Sequence, residues 1–213
     1  MKALVTAFEP FGGSRVNASL EAVRRLAPRI GALNVETAEL PTSYARSHAA
    51  LEAAIARTKP HIVLCVGQAG ERAALCIERV AVNLQDAVIA DNDGARPAEL
   101  PIVAGGPAAY LATLPVRAAV AALRAAELPA QLSMSAGTFV CNHILYSLMD
   151  IAQDHPAAFR GGFLHVPYVP EQVARLGAAP SMAVEDIVRG IEIILEVSAE
   201  RTVDIHTVEG RIS

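Results

Sequence analysis

HIVLCVG, residues 61–67, is an unbroken apolar run with β-branched side chains and a closing glycine, the pattern of a strand buried on both faces of a parallel sheet. Lys59-Pro60 stands just before it and ends a helical stretch over SYARSHAALEAAIART (43–58), because proline cannot continue the helical ladder. Further upstream, NVETAEL (34–40) reads as a strand that leads through Pro41 and Thr42 into that helix. Lys2 to Ala7 forms a first short buried strand, followed by the loop FEPFGGSRV (8–16) and a helix from about Asn17, whose side chain can cap the free N–H groups.

Working toward the C-terminus, the loop QAGER (68–72) is followed by an extended stretch from Leu75 to Asn83. DAVIADNDGARPAEL (86–100) is a turn-rich excursion, long enough to cover something. A helix near PVRAAVAALRAAE (115–127) precedes a strand over QLSMSAG (131–137), which runs into TFVCNHILYSLMDIAQD (138–154). In that last segment Cys141, Ile144, Leu145, Leu148, Met149 and Ala152 recur at helical spacing, so Cys141 starts a helix. GGFLHVPYVP (161–170) supplies a further strand, and SMAVEDIVRGIEIILEVSAE (181–200) a long final helix with an apolar stripe. Strands and helices alternating in this way imply an α/β fold: a three-layer α/β/α sandwich around a mainly parallel, twisted sheet, expected as one domain over residues 1–213. Sites in such folds lie beyond the C-terminal ends of the strands.

Composition narrows the partners. Of the 213 residues, 53% are hydrophobic and the mean hydropathy is +0.35, yet no uncharged apolar run is long enough to cross a bilayer. Much of the apolar content is alanine in stretches that also carry charge at helical spacing. A net charge of −4 and the absence of any Lys/Arg-rich block argue against nucleic acid. Three irregularly spaced cysteines behind no secretory leader suit reduced thiols and a cytoplasmic location.

Cys141 is the cysteine placed for chemistry. If Thr138 caps its helix, the thiol sits in the first turn, where the helix dipole and free N–H groups favour a thiolate and can hold an oxyanion. A small core residue on an apolar stripe is the competing reading. Cys65, in mid-strand, reads as core, and Cys76 as structural. His165, at the end of a strand just before proline, projects toward the same sheet edge and is a candidate base among six histidines; the others are His48, His61, His143, His155 and His206. His143 lies two residues from Cys141 on the helix, so its ring points away from the thiol. Glu78 is a carboxylate inside an apolar extended run, and it needs a partner. A histidine and a nearby arginine serve equally well. There is no HExxH, CxxC or glycine-rich nucleotide motif, so metal and nucleotide cofactors have no sequence support.

Four segments, FEPFGGSRVNAS (8–19), VGQAGERAALCIERVAVNLQDAVIADNDG (66–94), SMSAGTFVCNHILYSLM (133–149) and GFLHVPYVPEQ (162–172), together resemble the pyroglutamyl peptidase I (pyrrolidone-carboxylate peptidase) family. The resemblance implies a Cys-His-Glu triad at Cys141, His165 and Glu78 in a cysteine exopeptidase that removes N-terminal pyroglutamate from peptides. It also implies a cytosolic homotetramer needing no metal or cofactor. Pocket residues carry over to Phe8, Phe11, Asn17, Gln68, Ile89, Phe139 and Val140. Aromatic and aliphatic walls with a few polar groups suit a flat, neutral lactam, whereas an ordinary N-terminal ammonium could not be solvated there. The family usually has arginine where this chain has Val88, and glycine where it has Glu71. A non-catalytic lactam-binding protein of the same fold is the alternative that Val88 raises.

Overall fold

The computed structural model of the protein describes residues 1–154, 159–176 and 178–209. Its main sheet is built on β1 (Lys2–Phe8), β3 (Leu33–Leu40), β4 (Ile62–Gln68) and β9 (Arg160–Val166), which are mutually parallel in the order β3-β1-β4-β9. The two-residue β2 (Arg29–Ile30) adds an antiparallel edge on β3. Beyond β9 the sheet changes sense: β5 (Leu75–Glu78) pairs antiparallel with β9 and parallel with β8 (Ala130–Ser133). The sheet is therefore mixed, with a parallel centre.

β4 is buried at every position, as its apolar run demands. Side chains alternate along the strands and divide the core in two. Ala3, Val5, Ala7, Ile62, Leu64 and Val66 face a layer made by α1 (Ala18–Val23), α3 (Val116–Ala125) and α6 (Val184–Glu200). Leu4, Phe8, Val63, Cys65 and Phe163 face the opposite layer, made by α2 (Ser47–Thr58) and α4 (Val140–Asp154).

Several boundaries differ from the sequence expectation. The helix expected from 43 begins at Ser47, after a turn closed by the Ser47 N–H donating to the Ser43 carbonyl. The extended run from Leu75 breaks at Arg79: β5 stays in the main sheet, whereas β6 (Val80–Val82) leaves it to pair with β7 (Ala109–Leu111) in a separate two-stranded ribbon. The strand expected over 131–137 occupies only Ala130–Ser133. That expected over 161–170 stops at Val166, and Pro170 opens a short helix, α5 (Pro170–Leu176), with proline at its first position, where no N–H is needed. His155 lies outside the described residues.

The excursion after β6 is tied down by side chains. Asn83 accepts from the Ile102 and Val103 N–H groups and donates to the Val103 and Gly106 carbonyls. The Asp91 carboxylate accepts from the N–H groups of Tyr44, Asp93 and Ala95, and Asn92 donates to Glu9 Oε1 and the Pro10 carbonyl. This lashing holds residues 86–92 over the C-terminal ends of β1 and β3.

Candidate active site

A cavity of about 410 Å³ opens at that edge. β1 delivers Phe8, β4 delivers Gln68 and β9 delivers His165, each at or near the strand's C-terminal end. The start of α4 contributes Phe139, Val140 and Cys141, and the loop after β1 contributes Phe11 and Asn17. Ile89 and Val88 close the cavity from the excursion. Apart from Glu78, every sequence-predicted site residue lines this one space.

Glu78 stands behind His165. On the antiparallel pair β5–β9 it lies directly across from Phe163, so it shares a face with that residue and with His165 two positions on. His165 Nδ1 is 2.7 Å from Glu78 Oε1, and both side chains are buried. The Nδ1 contact leaves Nε2 as the ring nitrogen available to the cavity.

Arg72 reaches the same carboxylate oxygen, with Nη1 donating to Glu78 Oε1 at 2.7 Å and to Ser133 Oγ at 3.0 Å, and Nη2 donating to the Ser135 carbonyl at 2.9 Å. Both readings of Glu78 are therefore realised at one atom, and the guanidinium offsets the cost of burying the carboxylate. Arg72 follows a strand end by four residues and was legible only as one of several arginines.

Cys141 occupies the first turn of α4, though without the expected cap. The first intrahelical bond runs from the His143 N–H to the Phe139 carbonyl, and Thr138 Oγ1 donates to the Asp86 carbonyl instead of to the helix. The N–H groups of the first turn remain free of helical acceptors. Asn142 fixes the turn by accepting from the Val82 N–H and donating to the Val82 and Leu84 carbonyls. The surroundings oppose the thiolate that the helix start favours. Desolvation, reinforced by the negative charge of Glu78, pushes the Cys141 thiol up to about 12, against opposing contributions from Arg72 and its own backbone N–H.

The thiol rests against β4. A Cβ placed on Gly67 would come within 2.9 Å of Cys141 Sγ and 2.7 Å of Phe163 Cζ, so any larger residue there would displace the sulfur. His143 takes no part in the cavity lining. It is buried edge-on to Tyr44, with ring centroids 5.6 Å apart and both nitrogens without a partner, and desolvation lowers its pKa to about 4.

The cavity wall is aromatic. Phe139 packs on Phe11 at 6.0 Å and meets Tyr44 edge-to-face at 5.7 Å, while the Tyr44 hydroxyl donates to the Thr138 carbonyl. Among the described residues Asp86 is the only carboxylate on the lining, and no lysine or arginine joins it there; Val88, where the family usually has arginine, is 85% exposed. Thr42, Asp86, Ala136 and Thr138 also line the cavity and were not singled out from the sequence. Among the described residues no group of three or more His, Cys, Asp or Glu side chains could hold a metal ion.

The profile of one family, described as pyroglutamyl peptidase, matches residues 1–201. The chain belongs to the pyroglutamyl peptidase family. It is similar to the pyrrolidone-carboxylate peptidase of Brevibacillus brevis, 46% identical over 99% of this chain and 98% of the relative. It is also similar to pyrrolidone-carboxylate peptidase 1 of Ralstonia nicotianae, at 47% over 98% of each. Among solved structures, pyroglutamyl peptidase I from Bacillus amyloliquefaciens superposes with a TM-score of 0.94 at 43% identity, covering 97% of this chain and 99% of the other. Pyrrolidone carboxyl peptidase from Thermococcus litoralis does so with a TM-score of 0.90 at 38% identity over 93% of both chains. The pyroglutamyl peptidase fold thus accounts for the mixed sheet, including the reversal at β5 that alternation alone does not predict.

Proposed function

We propose that this member of the family is a cysteine exopeptidase that hydrolyses the bond following an N-terminal pyroglutamyl residue. The observation that carries the reading is the buried His165–Glu78 contact of 2.7 Å beside an aromatic-walled cavity that also holds Cys141 in the first turn of a helix. The walls suit a neutral lactam ring, and among the described residues no lysine or arginine on them offers a counter-charge to an acidic substrate.

Cys141 Sγ attacks the carbonyl carbon between pyroglutamate and the next residue while its proton passes to His165 Nε2. Glu78 stabilises the resulting imidazolium, and the free N–H groups at the start of α4 stabilise the oxyanion. Collapse breaks the C–N bond as His165 protonates the leaving amine, which leaves a thioester on Cys141. Water, deprotonated by His165, then attacks the thioester and releases pyroglutamate and the free thiol.

The test is release of fluorophore from a pyroglutamyl coumarylamide. The wild-type protein under reducing conditions is expected to cleave it, and Cys141→Ala and iodoacetamide are each expected to abolish cleavage. Cleavage of the prolyl amide in place of the pyroglutamyl amide would overturn the assignment. Calorimetric binding of pyroglutamate without turnover would favour the lactam-binding alternative, for which the exposed Val88 is the supporting observation.

Residence in the cytoplasm, assembly as a homotetramer and folding of residues 1–213 as one domain belong to the same proposal. They rest on the family resemblance and on composition. No helix of the described residues is long and apolar enough to cross a membrane.

A further inference from the structure

Gln68 and Gln172 are joined in a network whose atom assignments are forced by backbone groups. The Ala18 N–H, which can only donate, lies 2.8 Å from one end of the Gln68 carboxamide, so that end is Oε1. A Gln172 atom 2.9 Å from this oxygen must then be a donor, Nε2, and it also donates to the Val16 carbonyl at 3.0 Å. The other end of Gln172, Oε1, accepts from the Val169 N–H at 3.0 Å. Both residues are buried.

The oxygen of Gln68 is thus spent on two donors behind the cavity wall, and its Nε2 hydrogens have no acceptor among the described residues. The oxygen of Asn17 is spent in the same sense. Its Oδ1 accepts from the Ser19 N–H and Oγ, and its Nδ2 donates to the Glu9 carbonyl. Of these two carboxamides on the lining, Gln68 therefore offers the cavity donors only.

We propose that Gln172 is a positioning residue for substrate selection, which fixes the Gln68 carboxamide so that its NH2 donates to the ring carbonyl of a pyroglutamyl substrate. This rests on the pyroglutamyl reading above. A proline at the N-terminus has no ring carbonyl and would leave those N–H groups buried and unpaired, so the same contact rejects it.

Two quantities are to be measured in the wild type, Q68A, Q172A and Q68A/Q172A: protection of Cys141 by 2-pyrrolidone against iodoacetamide, and KM and kcat for the pyroglutamyl coumarylamide. Cys65 and Cys76 are buried, so alkylation reports on Cys141. Q172A is expected to weaken 2-pyrrolidone protection and raise KM about tenfold each, with kcat and the unprotected alkylation rate moving by less than about twofold. In the Q68A background, Q172A is expected to add nothing. Full additivity in the double variant, or no effect of Q172A on protection, overturns the proposal. If Q172A fails to fold, Q172M, which keeps the volume and loses the donor, carries the same test. A wild type that binds 2-pyrrolidone without releasing fluorophore breaks the hydrolase reading and leaves the protection test decisive for Gln172. A wild type that releases fluorophore but gains no protection from 2-pyrrolidone keeps the hydrolase reading and overturns the proposal for Gln172.

Discussion

The two faces of the sheet are packed by different chemistry. Against α1, α3 and α6 the buried hydrophobic residues are aliphatic throughout, apart from Met182, with Leu75, Leu123, Ile187, Ile191 and Ile194 among them. Against α2 and α4 lie the buried phenylalanines and tyrosines, Phe8, Tyr44, Tyr146, Phe159 and Phe163, together with Cys65 and the half-buried Cys141. Glu78 Oε2, both His143 nitrogens and the hydroxyls of Ser47 and Ser147 are buried on that side without partners among the described residues. The first face also buries Ser19 and the unpartnered hydroxyl of Ser198, but it carries no aromatic ring, whereas the second gathers the rings and most of the unpartnered polar groups among the described residues around the thiol. Stability and turnover are expected to separate along this divide.

The sharpest separation comes from Cys141→Ala. Turnover of the coumarylamide is expected to fall by at least ~10⁴-fold because no covalent route remains, while the urea midpoint reports a stability change of about 1 kcal/mol or less. Across the sheet the pattern is expected to invert. Ile191→Ala empties a fully buried site on α6 and is expected to cost about 2–5 kcal/mol in equilibrium unfolding, with kcat/KM of the folded fraction unaltered. Loss of turnover in Ile191→Ala at full folding would break the comparison.

His143 sharpens the comparison through pH. The unfolded chain takes up a proton on this histidine from about pH 6.5 downward, whereas the folded chain does not until about pH 4. The unfolded state therefore binds more protons between those values, and stability falls as pH drops through that window, by up to about 3 kcal/mol. His143→Leu is expected to remove this part of the acid loss, seen by comparing urea midpoints at pH 7.5 and 4.5, and to be close to neutral at the higher pH. The smallest effect is expected at Arg72. Arg72→Gln leaves Glu78 with His165 alone and is expected to lower kcat by roughly 10–100-fold with KM little changed, the worth of a hydrogen bond to a charged group. Partial recovery in Arg72→Lys would show that the charge, and not the packing of the guanidinium, carries the effect.

What was legible in the sequence follows the range of the interactions. β4, α4 and α6 could be read because alternation and helical phasing are local, and Asn17 could be read as a cap because its partner is Ser19. The departure of β6 from the main sheet could not, because it is decided by Asn142, 60 residues away, which takes both polar backbone groups of Val82. The cap expected at Thr138 failed for a similar reason, since a carbonyl from the excursion, Asp86, competes for its hydroxyl. Helix phasing placed Cys141 at the start of α4 but carried no information on its surroundings, where desolvation and the Glu78 charge push the thiol up. Arg72 and Gln172 escaped notice because each acts through another side chain, and a sequence gives no sign of which arginine or glutamine meets which partner.

The residues around the cavity come from widely separated parts of the chain: the walls from Phe8 to Asn17 and from Asp86 to Ile89, the thiol from 141 and the imidazole from 165. During synthesis the pocket floor therefore stays incomplete until β9 has emerged and inserted beside β4. A chain lacking that strand keeps Cys141 but not His165, so the proposed pair comes together only after most of the fold is in place.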